Sequence, residues 1–141
     1  AGTLPPFLGI RVKPLNEELR ARSIRTLDLV VTALAKAGAI PERWVVTIPK
    51  ITVIEQVEFT VAVLRQLERK LAMRDGALRF EVMVETPQII LERGGKSLLP
   101  RLLDASDGRL AGAHRPATLP RKLCRWRLRA PTGSSPMAPP P

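Results

Sequence analysis

Along residues 1–114, short apolar runs alternate with longer stretches whose apolar residues recur every three or four positions. These are the two periods of strand and helix. Residues 7–12, FLGIRV, form a β-type run closed by Pro14. A helical pattern follows in which Ile24, Leu27, Val31 and Leu34 share a face, and Gly38 and Pro41 stop it. Trp44 to Ile48 reads as the second strand, ended by Pro49. Thr52-Val53-Ile54-Glu55 then has the form of a capping box, hydroxyl and carboxylate each accepting a backbone N–H beside the other. Behind it Val57, Val61, Leu64, Leu67 and Leu71 make an apolar stripe. Glu55 and Glu58 early in that helix and Arg69, Lys70 and Arg74 late in it suit the helix dipole. Arg79 to Glu85 predicts a third strand, and Thr86-Pro87 opens a shorter helix through Leu91. Leu98 to Leu103 is a weaker helical stretch, and residues 109–113 predict a fourth strand.

Strands alternating with helices of this length predict an α/β fold of parallel βαβ units. Such units close into an eight-stranded barrel or spread as an open doubly wound sheet, and the pattern admits both. No G-x-G-x-x-G and no G-x-x-x-x-G-K-[ST] follows a strand, so the open nucleotide-binding form has no support. There is also no H-E-x-x-H, no G-x-S-x-G and no pair of C-x-x-C. His114 is the only histidine, which excludes a histidine-rich zinc site.

Composition divides the chain in two. Its 141 residues suit one domain, and its net charge of +10 is unevenly spread. From Gly108 onward there is no acidic residue, and half of the 14 prolines lie from Pro116 on. Residues 1–114 therefore read as the folded part and 115–141 as a low-complexity, disordered basic tail rich in Pro. No apolar run approaches the roughly 20 residues that span a bilayer, and no secretory signal is visible, so the expected location is cytoplasmic. One cysteine, Cys124, excludes an internal disulfide. Ala1 followed by Pro5-Pro6 reads as a chain entered partway through.

In a parallel barrel the catalytic side chains project from the C-terminal ends of strands. Arg11, Lys50 and Glu85 occupy such positions. Alternation puts Arg11 in phase with Gly9, Lys50 with Ile48 and Val46 across Pro49, and Glu85 with Met83 and Glu81. A carboxylate near two cations at one end of a sheet could hold a divalent metal and an anionic substrate. Spacing alone favours the plainer reading, strand-end charges reaching solvent.

Three segments carry a resemblance: Gly9-Ile10-Arg11-Val12, Val46-Thr47-Ile48-Pro49-Lys50-Ile51 and Val84-Glu85-Thr86-Pro87. In order and spacing they resemble the citrate lyase β-subunit and HpcH/HpaI aldolase family, over about residues 5–114. The resemblance implies a partial (β/α)8 TIM barrel, about three βα units and a fourth strand. It implies a carbon–carbon lyase dependent on Mg²⁺ or Mn²⁺ and acting on a small carboxylate or CoA-thioester substrate. Arg11 then matches the arginine that engages substrate and steadies a developing enolate, Lys50 a recurrent substrate-side lysine, and Glu85 a metal-ligating glutamate. The family's second metal ligand is an aspartate shortly after the fourth strand. Here that position falls on Leu119, in the acid-free run Arg115 to Pro120. A (β/α)8 barrel takes about 250 residues, so the expectation is a fragment inactive alone, open to an oligomer or a complementing chain.

Residues 121–129, RKLCRWRLR, alternate basic and apolar side chains around Trp126. One reading is a contact with nucleic acid or another polyanion, with Arg on phosphates and Trp126 stacking. The other is a disordered end of the composition that out-of-frame reading of GC-rich DNA produces. The sequence favours the second, with no membrane partner and nucleic acid disfavoured.

Overall fold

The computed structural model describes residues 7–86 and 97–114. Four strands, β1 (Phe7–Arg11), β2 (Arg43–Ile48), β3 (Arg79–Met83) and β4 (Leu110–His114), form one parallel sheet in chain order. Helices α1 (Arg20–Lys36) and α2 (Glu55–Lys70) connect the first three strands, and the short α3 (Leu99–Ala105) precedes β4. The chain is thus an α/β fold with a parallel sheet alternating with helices, as its periodicities predict.

The period of two decides which face is covered. On β2, Trp44, Val46 and Ile48 are buried while Val45 and Thr47 are half-buried; on β3, Phe80 and Val82 are buried while Glu81 and Met83 are not. The helices answer with Leu27 and Val31 from α1 and with Val57, Val61, Leu64 and Leu67 from α2. Helix α1 packs on α2 and α2 on α3, so the core lies between the helices and one face of the sheet. Each fully buried side chain of this size contributes about 1.5–3 kcal/mol. The other face carries Thr47 and Glu81 at its centre, in register with each other.

Two local expectations change. Helix α2 begins at Glu55, its N-cap Ile54 makes no side-chain cap, and the Thr52 N–H donates to Gln56 Oε1 at 2.9 Å. The reciprocal Thr52–Glu55 box is not formed, because the helix starts at Glu55 itself and the next side chain is the one that returns over Thr52. Strand β3 ends at Met83, not Glu85: the Glu85 N–H donates to the Met83 carbonyl at 3.1 Å, a tight turn that takes Glu85 off the ladder. The helix read from Thr86-Pro87 to Leu91 extends beyond the described residues, and the tail over 115–141 lies outside them. Among the described residues no helix is long and apolar enough to cross a membrane.

At the N-terminal end of the strands a buried ion pair joins three elements. Arg109, just before β4, donates from Nη1 to Glu68 Oε1 at 2.7 Å and from Nη2 to Asp75 Oδ1 at 2.5 Å. Glu68, on α2, also accepts the backbone N–H of Leu78 at 2.7 Å and of Gly76 at 3.3 Å. Burial alone would lower the Arg109 pKa, but its hydrogen bond and ion pair with Glu68, aided by Asp75, outweigh that and raise it. A lighter tie links α1 to α2, where Lys70 Nζ donates to Asp28 Oδ1 at 2.7 Å and holds that carboxyl below the usual range. Both groups are solvent-exposed, so this tie contributes little.

Gly9 has a packing reason. A Cβ built there would lie 2.4 Å from the Val45 carbonyl oxygen of β2, and backbone in a ladder cannot step aside. Gly9→Ala is expected to cost about 1–3 kcal/mol, as overpacking does, and to lower the thermal midpoint measured by circular dichroism. A midpoint equal to wild type would show that β1 and β2 do not approach so closely.

Candidate functional site

The C-terminal ends of the four strands gather the chemistry. Arg11 is the last residue of β1, and its Nη2 donates to Glu85 Oε1 at 3.2 Å, so the turn after β3 brings a carboxylate back to β1. Glu85 is largely buried, its side chain 17% exposed, whereas Arg11 is 55% exposed and free to take a further acceptor. A guanidinium carries five donors, of which this contact uses one.

Arg11 also lines an open cleft of about 510 Å³ with Val12, Lys13, Pro14, Thr26, Pro49 and Lys50. Three of the lining side chains are cations and none is an acid. Strand phase had placed Lys50 with Ile48 and Val46, but those two are buried toward the helices while Lys50 is exposed. The cause is the turn: Lys50 has φ +53°, in the left-handed region, and this swings it out of the strand alternation. Lys50 reaches Arg11's cleft by that turn and not by phase. Lys13 completes the cationic rim, and no strand-end argument had pointed to it.

On the sheet face away from the helices stands a second cluster. Thr47 Oγ1 donates to Glu81 Oε1 at 2.5 Å, and His114 Nε2 lies 2.6 Å from Glu81 Oε2. The three residues come from β2, β3 and β4. Thr47 and Glu81 are register partners, and His114 sits opposite Met83, two residues beyond Glu81 and on the same face. Reading each strand separately missed this cluster. The signal was there in the parallel register, which places in-phase polar residues of successive strands side by side.

Among the described residues there is no group of three His, Cys, Asp or Glu that could hold a metal ion. Glu85 faces a guanidinium that stays charged at any physiological pH, so a cation there would meet repulsion from Arg11. The position expected to supply a second acid, Leu119, lies outside the described residues. Polyanion contact by residues 121–129 falls outside them as well.

A family model described as a domain of unknown function, DUF6986, matches residues 1–117. No curated protein matches the chain.

Proposed function

The chain belongs to the DUF6986 family, a domain of unknown function, and from the geometry of its strand ends we propose that it carries the carboxylate-binding, enolate-stabilising part of a carbon–carbon lyase. The kind intended is that of the citrate lyase β-subunit and HpcH/HpaI aldolases. One observation carries the reading: Arg11, Lys13 and Lys50 surround one cleft at the C-terminal ends of parallel strands. Fixed positive charge at that place binds a substrate carboxylate. It also stabilises negative charge as a carbonyl compound becomes an enolate, the largest contribution electrostatics makes to such reactions. A CoA thioester would offer the same enolisable carbonyl with phosphates for the cations. The strand order agrees with a partial (β/α)8 barrel, whose strands follow the chain order and whose active sites occupy this end.

Glu85 is the metal-side group in this proposal, for Mg²⁺ or Mn²⁺, and it is insufficient alone. Affinity for hard divalent ions depends on the number and charge of oxygen ligands. One carboxylate already paired with Arg11 should bind Mn²⁺ no tighter than about millimolar, the range of ligand-poor sites. Carbon–carbon cleavage by this chain is accordingly expected to be undetectable. Calorimetric titration of Mn²⁺ into the full chain checks this, with Glu85→Gln expected to change nothing. Micromolar binding that Glu85→Gln abolishes would show a competent metal site and overturn the proposal in this form.

A further inference from the structure

We propose that His114 is a proton-transfer group of this site, with Glu81 and Thr47 as its positioning residues. The inference rests on the carboxylate-substrate reading for its substrate class, and on the Thr47–Glu81–His114 geometry for the group itself.

An ionised carboxylate is an acceptor only. Glu81 uses both oxygens, one toward the Thr47 hydroxyl at 2.5 Å and the other toward His114 Nε2 at 2.6 Å. Nε2 must then carry the hydrogen, which leaves the lone pair of the neutral ring on Nδ1. Among the described residues Nδ1 has no partner, and the ring is 59% exposed at the end of β4. The arrangement fixes tautomer and ring orientation from below and presents one basic nitrogen above. This is how a carboxylate prepares an imidazole for acid–base work. The Thr47 hydroxyl matters because it holds Glu81 in turn, so the three residues lock in sequence across three strands.

The matching substrate is a carbon acid with a proton beside a carbonyl and a carboxylate. Nδ1 takes that proton, and the C–H electron pair becomes the enolate C=C bond as the carbonyl π pair moves onto oxygen. The guanidinium of Arg11, which reaches across the sheet to Glu85 next to the Val84–His114 backbone bond, opposes the new charge. Returning a proton from Nδ1 to carbon reverses the step, so no oxidant or other reactant is needed. Such exchange requires a base and a cation but not a complete metal site. It is therefore expected even where carbon–carbon cleavage is not.

The single histidine makes the test direct. In ¹⁵N-labelled full chain with the ring neutral, the ring nitrogens should report the Nε2–H tautomer alone. Glu81→Gln should reverse it: with the Thr47 hydroxyl donating to the amide oxygen, the amide NH₂ faces Nε2, and the hydrogen moves to Nδ1. A wild-type ring averaged between tautomers, or already protonated on Nδ1, overturns the positioning. In D₂O, deuterium uptake into the methyl group of pyruvate should be faster with the chain than with buffer. The chain's excess over buffer should fall by at least about tenfold in His114→Gln and Glu81→Gln, within the range of general base catalysis. Equal uptake in wild type and His114→Gln overturns the proton-transfer role. Uptake that survives Arg11→Gln but not His114→Gln would sink the carboxylate reading of the cleft and leave the histidine assignment standing.

Discussion

Replacing Arg109 with alanine should remove a large share of the chain's folding stability. The side chain is 2% exposed and so is its partner Glu68. Removing one member of such a pair leaves the other charge buried without compensation, which costs about 3–5 kcal/mol. A domain of this size has only about 5–15 kcal/mol in total. Glu68→Ala should be comparably damaging by a different route, since the N–H groups of Leu78 and Gly76 lose their acceptor as well. Asp75→Ala provides the internal control. Its carboxylate also contacts Arg109 but is 80% exposed, so its loss should cost at most about 1 kcal/mol, as exposed ion pairs do. Urea unfolding followed by circular dichroism ranks the three variants. If Asp75→Ala and Arg109→Ala were equally mild, the pair would not be the buried clamp described above.

The clamp shows where sequence reading stops. The apolar stripe of α2 was legible because Val57, Val61, Leu64 and Leu67 repeat at helical spacing. Glu68 sits beside that stripe and looks like one more surface charge, and its burial is explained by partners that arrive later, the N–H groups of Gly76 and Leu78 and then Arg109, 41 positions on. The same holds at the other end of the sheet. Arg11 and Glu85 were found as strand-end residues of the predicted strands, yet their contact spans 74 positions and depends on the turn that ends β3 at Met83. Lys50 was assigned to the site on a phase that the left-handed turn after Pro49 then cancelled. His114 was set aside as a lone histidine, because its meaning comes from Glu81 and Thr47 on neighbouring strands. Periodicity gives each element its buried face, whereas pairing across elements requires the register.

Arg11→Gln should have the largest functional effect, and it bears on the central claim that the strand-end cleft binds carboxylates. Charge-assisted hydrogen bonds of this kind are worth about 1.5–3 kcal/mol, so losing one should weaken anion binding by about tenfold or more. Glu85→Gln should act in the opposite sense. It removes the carboxylate that now competes for the guanidinium at 3.2 Å and should tighten binding. Neither residue belongs to the apolar core, so both variants should fold. The decisive measurement is a titration of ¹⁵N-labelled chain with pyruvate in the absence of metal, following the guanidinium and backbone signals at the strand ends. Saturable shifts are expected around Arg11 and Lys50, needing at least about tenfold more pyruvate in Arg11→Gln and less in Glu85→Gln. Binding unchanged by either substitution, or located away from the C-terminal ends of the strands, would contradict it.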